Sequence, residues 1–499
     1  MKMNKIYKSL GLLLALSLFS SCYKDHSVNG DHPLAVVKVT EPIASVQTAA
    51  FGEVTVIKSP AYTITTGASV TPSYEWIVDG VVVSTEKDLS YSPTSYGKHD
   101  ARLRMYTPDG SYFYRFTIDV PYRYVDGLYV LASNEGKTIL SYLPGGEKTD
   151  AFDLDAFGRS NPTIDMTGDP QSMLFYRYVP GAGASRSYLG IALGLPTRYY
   201  RVSADSLKVL SPRISFTNPV DFSHASGNQS TVREYFISGA NVWELEKTGN
   251  IPAKKHDRYL SPVAPGYSLA SAIVNWRALT GTRISEGMAF FDNAGSNLLY
   301  MILGSRVTVK KVRTFTASAF PGGAPEETNP FEGMTLIDMK SAGEGNYTYN
   351  YTLLLLKRNS DSKYFVARLT AGDFTQSQNV DGATVSIVEF TEGTPTHLMP
   401  NLGGTAALVA TADKVYFYNM ANTTVTEHPA WISLPSGQTI SSMALTTDNR
   451  LFIGANGSGS GLVGSIYSYD VSGITPVLIK AETGITGKIK QIIYRQFNR

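Results

Sequence analysis

Gly127-Leu128-Tyr129-Val130-Leu131, a turn, and then Thr138-Ile139-Leu140-Ser141-Tyr142 form the stretch from which the fold is read. An apolar strand meets a small polar turn and then an alternating strand, which is a hairpin. The pattern returns at Met173–Tyr176 with Tyr188–Ile191, Glu234–Ile237 with Asn241–Leu245, and Leu298–Ile302 with Arg306–Val309. It returns again at Leu353–Leu356 with Tyr364–Ala367, Ala406–Val409 with Lys414–Tyr418, and Arg450–Ile453 with Ser465–Tyr469.

Leu140, Gly190, Val242, Val307, Val366, Tyr416 and Tyr467 mark the centres of the second strands, with gaps of 50, 52, 65, 59, 50 and 51 residues. The two long gaps are adjacent, where Phe320–Asn329 reads as a Pro/Gly-rich loop. A period of about 50 residues carrying about four short strands is the spacing of propeller blades. Residues 122–499 therefore read as a seven-bladed β-propeller. The competing arrangement, unrelated hairpins in one or two sandwiches, gives no reason for so even a spacing. One strand is left over at the C-terminal end. Lys488–Tyr494 has no partner downstream, so it is expected to complete the first repeat near Leu128–Leu131 and close a ring.

Composition agrees with an all-β chain. Of 499 residues, 31 are Tyr, 44 are Gly and only 17% are charged. Aromatics suit pleated, half-buried surfaces and Gly marks the turns between them. Residues 1–21 hold Lys2, Lys5 and Lys8 and no acid, so their removal takes the formal charge from +2 to −1. A near-neutral mature chain points away from a nucleic-acid partner. Cys22 is the only cysteine, so no internal disulfide forms, and stability must come from core burial. Beyond the N-terminal segment no apolar run reaches the length that spans a membrane.

The N-terminus reads as a secretory signal: three lysines, then the apolar run Leu10–Phe19, then small residues. Leu18-Phe19-Ser20-Ser21-Cys22 resembles a bacterial lipobox. That resemblance implies cleavage before Cys22 and lipidation of its thiol. The alternative is an ordinary signal peptide with an incidental cysteine. Residues 22–33 are polar and turn-rich and read as a tether.

Residues 34–121 read as a first globular unit. Short alternating runs at Val36–Val39, Val54–Ile57, Tyr74–Val78, Ala101–Met105 and Tyr112–Val120 are separated by turn signals, which suggests a β-sandwich. Asp79-Gly80 between Trp76-Ile77-Val78 and Val81-Val82-Val83 is a hairpin signal. Tyr74-Glu75-Trp76-x-x-Asp79-Gly80, followed by Tyr96-Gly97, resembles the polycystic-kidney-disease (PKD) type of immunoglobulin-like domain. Both the resemblance and plain burial make Trp76 a core residue.

Several catalytic patterns fail on context. Gly459-Ser460-Gly461-Leu462-Val463-Gly464 fits G-x-G-x-x-G, but a strand follows it and no helix N-terminus is offered to a pyrophosphate, so it reads as a hairpin loop. Glu135-Gly136-Lys137-Thr138 lacks the earlier glycine of a phosphate loop, since Leu131 stands there. The seven histidines show no zinc-motif spacing, and no G-x-S-x-G elbow occurs. Lipidation of Cys22 would consume the sole thiol. No metal or cofactor is expected. Carboxylates from distant blades can still meet at a propeller channel, and sequence spacing does not bear on that. Trp276, Arg277 and Trp431 read as lying between repeat strands, where exposed aromatics could stack on a sugar or peptide. Packing between blades is the competing role.

Lipobox, PKD-like domain and large β-repeat domain together resemble the PKD-like lipoproteins of Bacteroidetes. Cys22-Tyr23-Lys24-Asp25 also looks like the short charged sequence behind the lipidated cysteine of surface-exposed lipoproteins in that group. The resemblance implies an outer-membrane, surface-exposed, lipid-anchored protein. It would be an accessory of a nutrient importer and its binding lipoprotein, with a glycan or peptide ligand. Two other roles stay open: a polysaccharide lyase or hydrolase with its site in the propeller channel, and a structural partner of the importer without a ligand of its own.

Overall fold

The structure is a computed structural model. It describes residues 34–65, 70–145, 152–178, 186–194, 197–210, 214–215, 225–228, 233–238, 241–245, 254–255, 268–280, 283–302, 308–316, 326–342, 351–370, 379–380, 384–401, 406–420 and 428–496. Cys22, the lipobox and the tether lie outside the described residues, as does Val307. The chain is all-β apart from one short helix among the described residues, Ala156–Ser160, capped by Asp155. It divides into two compact units, Met1–Tyr122 and Arg123–Arg499.

In the first unit one five-stranded sheet runs in the order Val46–Thr48, Gly110–Val120, Gly97–Thr107, Ser73–Val78, Val81–Ser84. Two strand pairs, Val37–Glu41 with Ala61–Ile64 and Thr55–Ile57 with Leu89–Tyr91, complete it. Ser73–Val78 alternates exposed or half-buried with buried residues, as its sequence requires of a strand with one face on the core. Trp76 is fully buried in that core, edge-on to Phe116, and its indole donates to Glu86 O over 2.9 Å. Asp79 and Gly80 both take positive φ, 50° and 81°, the geometry of a type I′ hairpin turn.

The second unit is propeller-like: among the described residues seven sheets of three to five strands follow one another, six of them antiparallel meanders whose first four strands run in chain order. The second sheet is Pro170–Tyr178, Arg186–Leu193, Arg198–Ser203, Ile214–Ser215. The third is Ala225–Asn228, Arg233–Ser238, Asn241–Leu245, Lys254–Lys255. The fourth is Leu269–Thr280, Arg283–Asp292, Asn297–Ile302, Thr308–Val312, with Asn379–Val380 added in parallel at its outer edge. The fifth is Met334–Ala342, Tyr351–Arg358, Tyr364–Thr370, Thr384–Phe390. The sixth is His397–Pro400, Ala406–Ala410, Lys414–Asn419, Ala430–Ser433. The seventh is Thr439–Leu445, Arg450–Asn456, Gly464–Asp470, Val477–Thr486.

The remaining sheet is assembled from both ends of the unit. Lys488–Arg495 pairs with Gly127–Asn134, which pairs with Lys137–Pro144. Leu128 faces Tyr494 and Val130 faces Ile492 in that register. The expected strand from the chain end is therefore in place. It serves as the first strand of the first sheet. The first strands of successive sheets adjoin one another, and the first strand of the seventh sheet adjoins Lys488–Arg495, so the cycle returns to its start.

The apolar cores lie between neighbouring sheets. Tyr129, Leu140, Leu189 and Ile191 join the first sheet to the second; Leu354 and Phe291 join the fifth to the fourth; Leu408, Ile432, Ile453 and Tyr467 join the sixth to the seventh. Ile489 and Ile492 pack with Leu128, Val130, Phe452 and Ile466, which joins the seventh sheet to the first. Continuous apolar runs such as Leu353-Leu354-Leu355-Leu356, all fully buried, arise because both faces of such a strand are covered.

Three sequence expectations need correction. The hairpins read at Met173–Ile191 and Leu298–Val309 are displaced by one strand from the others: the former takes the first and second strands of its sheet, the latter the third and fourth. Buried strands of one sheet look alike in sequence, so the near-equal early gaps mixed strand positions. Phe320–Asn329 is not wholly loop, since Glu326–Thr328 pairs with Thr314–Thr316. Trp276, Arg277 and Trp431 lie within strands, not between them.

Candidate functional site on the first strands

The seven first strands bring together residues from the whole length of the second unit. Five of them carry a register shift near the start: in the fourth sheet it falls between Leu269 and Ile273, and in four others it is a one-residue β-bulge. The unpaired residues are Gln171 between Pro170 and Ser172, Ile337 between Leu336 and Asp338, Ser441 between Ile440 and Ser442, and Lys490 between Ile489 and Gln491. A bulge bends its strand and re-aims the side chain it carries. Each bulge is followed by a polar residue: Ser172, Asp338, Ser442 and Gln491.

Three of these polar residues are bonded to the next first strand in the cycle. Gln491 accepts from Met173 N at 2.6 Å and donates to Met173 O at 3.2 Å. Asp338 Oδ2 accepts from Leu398 N at 3.0 Å. Ser442 Oγ accepts from Ile492 N at 3.1 Å. First strands have an edge with no partner inside their own sheet, and a buried N–H left without an acceptor is costly. The side chain after the bulge supplies that acceptor and laces the first, fifth and seventh sheets to the next in the cycle.

His397 stands at the corresponding place on the sixth sheet, just before Leu398. Its Nδ1 is 2.9 Å from Thr396 Oγ1. Burial pushes its pKa below the usual imidazole value; Lys340 and Lys490 push it the same way, while Asp338 and a bond to the Ser441 backbone pull it up. The ring therefore lies beside charges from the fifth and first sheets and the backbone of the seventh. Asp338 has both oxygens engaged, since Oδ1 accepts from Met339 N at 2.8 Å and from Lys340 Nζ at 3.0 Å.

Charge on these strands is one-sided. As described, the seven first strands contain Arg177, Arg277, Lys340, Lys488, Lys490 and Arg495, and a single carboxylate, Asp338. The whole chain has 44 Lys and Arg against 42 Asp and Glu. Arg495 is buried and tied to Asp205 and, at 3.0 Å, to Tyr124 O. Lys488 and Lys490 are exposed, and Lys340 is half-exposed.

The candidates from sequence separate. Trp276 and Arg277 fall on the first strand of the fourth sheet, with Trp276 opposite Gly287 and Arg277 opposite Glu286. They belong to the same cycle of strands as His397 and Lys490. Trp431 lies on the last strand of the sixth sheet, at a bulge where Tyr416 pairs with Ala430 and Val415 with Ile432. Its indole donates to Ile474 O at 2.8 Å, and its ring lies 5.4 Å from Phe417. It packs on the core between the sixth and seventh sheets. Sequence reasoning missed Asp338, Lys340, His397, Ser442, Lys490 and Gln491. A signal was present: Ser172-Met173, Asp338-Met339, His397-Leu398, Ser442-Met443 and Gln491-Ile492 each set a polar residue before a large apolar one near the start of a repeat.

A scan of protein-family models matches none, and no curated protein matches the chain. Solved structures do resemble it. A quinoprotein alcohol dehydrogenase-like protein of Bacteroides thetaiotaomicron is similar at 12% identity and TM-score 0.42, over 92% of this chain and 99% of that one. A protein of unknown function from Bacteroides caccae is similar at 10% identity and TM-score 0.34, over 60% of this chain and 95% of that one. A Lactobacillus plantarum protein is similar at 9% identity and TM-score 0.45, over 74% and 99%. None of these likenesses assigns an activity to the chain.

Proposed function

We propose that the chain is a surface-anchored binding lipoprotein: a PKD-like sandwich followed by a closed seven-bladed β-propeller, held to the outer membrane by lipid on Cys22. In this reading it serves as an accessory of an outer-membrane nutrient importer and that importer's own binding lipoprotein. It presents a glycan or peptide site on the first strands, which line the propeller channel. The observation that carries the binding role is the state of the acid–base groups there. Asp338 is spent on three hydrogen bonds, and His397 is bonded to Thr396 and to the Ser441 backbone. General acid–base catalysis requires a positioned group whose proton can be exchanged with substrate. Asp338, the one carboxylate on the described first strands, holds strands together instead, while Lys340 and Lys490 keep N–H groups for a ligand.

A glycan and peptide array probed with the mature chain tests this reading. Retention of one ligand class is expected, and loss of that retention in a variant of the first strands but not in one of the last strands. An array blank for every class would count against it and leave the ligand-free structural role. His397 favours a second reading. Its depressed pKa keeps the ring neutral at neutral pH, as the base of a lyase needs to be. Release of unsaturated sugar from an array-positive glycan, lost in His397→Asn, would support the lyase.

A further inference from the structure

We propose that the wall of first strands binds an acidic oligosaccharide, one bearing carboxylate or sulfate groups. This rests on the binding reading above and names its ligand class. Six cationic residues and one carboxylate share seven strands in a chain that holds 44 Lys and Arg against 42 Asp and Glu overall. Arg495 is buried and paired with Asp205, so the accessible cations among the described side chains are Lys340, Lys488 and Lys490. Lys490 is the unpaired residue of the bulge in the closing strand, and Lys340 lies two residues past the bulge in the fifth sheet.

The two lysines belong to one level of the wall, because the laces connect their strands. Asp338 of the fifth sheet reaches Leu398, next to His397, and Ser442 of the seventh reaches Ile492, near Lys490; Lys340 and Lys490 both act on the His397 ring. Asp338 lowers the local charge by one, but its oxygens are filled by Leu398 N, Met339 N and Lys340 Nζ. Lys340 Nζ has three N–H groups and gives one of them to Asp338. An anion can take the others at the strength of a charge-assisted bond.

The neutral surroundings favour a saccharide over an acidic peptide. The neutral polar residues exposed or half-exposed on these strands and not used to lace them include Gln171, Thr439 and Ser441, which match hydroxyl groups. Ile337, at 37% exposure, is the one exposed large apolar residue among the described side chains of these strands. A peptide's apolar side chains would find little to pack against there.

The test is calorimetric titration of the mature protein with galacturonic acid hexamer, cellohexaose and hexaglutamate. The acidic sugar is expected to bind. Lys340→Gln with Lys490→Gln should weaken it about tenfold or more, the loss of two charge-assisted bonds, with the melting temperature unchanged. Raising salt from about 0.05 M to about 0.5 M should weaken the parent in the same direction. Lys480→Gln, on the last strand of the seventh sheet, should leave affinity alone. Equal affinity for cellohexaose, unaffected by the double variant, would overturn the acidic ligand while leaving the binding reading in place. Binding of hexaglutamate without the sugar, or of neither, would overturn this proposal; a blank array would in addition remove the binding reading on which it stands.

Discussion

Ile492 packs the closing strand between the first and seventh sheets. It is 2% exposed, as is Ile489, and both sit among Leu128 and Val130 of the first sheet and Phe452 and Ile466 of the seventh. Gly454 makes room for them: a Cβ there would lie 3.2 Å from the Cγ2 atoms of both isoleucines. Ile492→Ala removes buried methyl groups and leaves a cavity, at a cost of about 2–5 kcal/mol. Gly454→Val should press the closing strand outward and cost about 1–3 kcal/mol. Unfolding entropy of about 2 cal/mol/K per residue over a unit of this size turns 2–5 kcal/mol into a fall of about 3–6 °C in melting temperature. The diagnostic readout is hydrogen exchange. Gly127–Asn134 pairs with the closing strand, so its amides should exchange faster in Ile492→Ala although it lies at the other end of the unit. Faster exchange confined to Thr439–Thr486, with Gly127–Asn134 unchanged, would refute the reasoning.

Three further expectations follow from single sites. In the first unit His99 is buried, with Nδ1 2.6 Å from Asp79 Oδ2 and Nε2 3.1 Å from Ser95 O, and its hydrogen bond to Asp79 raises its pKa. A raised folded pKa gives stability that is complete below the unfolded value, about 6.5, and is lost as pH climbs through the folded value. Urea midpoints for the first unit should fall between pH ~6 and pH ~8 and flatten in His99→Gln; a parent equally stable at both would contradict the pairing. Trp431→Phe deletes the bond to Ile474 O and should cost about 0.5–1.5 kcal/mol in chemical denaturation without changing ligand affinity. A loss of affinity with stability intact would make Trp431 a ligand contact. Cys22→Ala should move the protein out of the membrane fraction, since two or three acyl chains give stable attachment; unchanged fractionation and migration would end the lipobox reading.

The sequence carried the architecture where local chemistry dictates it. Asp79-Gly80 can take the positive φ of its turn, and Lys488–Tyr494 is too apolar to remain unpaired. It carried less where neighbouring strands share a pattern. Met173–Tyr176 and Leu353–Leu356 are both apolar runs, yet one is a first strand and the other a second, and only pairing distinguishes them. The site was the least legible part. A bulge has no residue signature of its own: Gln171, Ile337, Ser441 and Lys490 have no chemistry in common. Asp338 and Lys490 act on His397 across three sheets, at sequence distances that no motif spans. Trp431 looked like a loop aromatic because it follows His428-Pro429-Ala430, and the bulge that receives it is set by its pairing with Val415 and Tyr416.

Closure of the cycle of first strands underlies both the site and its proposed ligand, and a cross-link tests it most directly. Ser133 and Lys488 face each other in the pairing of the first sheet's two inner strands. Cα atoms of such partners lie about 4.5–5.5 Å apart, within reach of a disulfide. Cys22 is the only native cysteine, so Ser133→Cys with Lys488→Cys in a Cys22→Ala background leaves one pair to oxidise. The account predicts an intramolecular bond joining the peptides around residues 133 and 488, formed readily under mild oxidation and seen by mass spectrometry in monomeric protein. Two thiols that stay open to alkylation, or bonds formed only between chains, would contradict it.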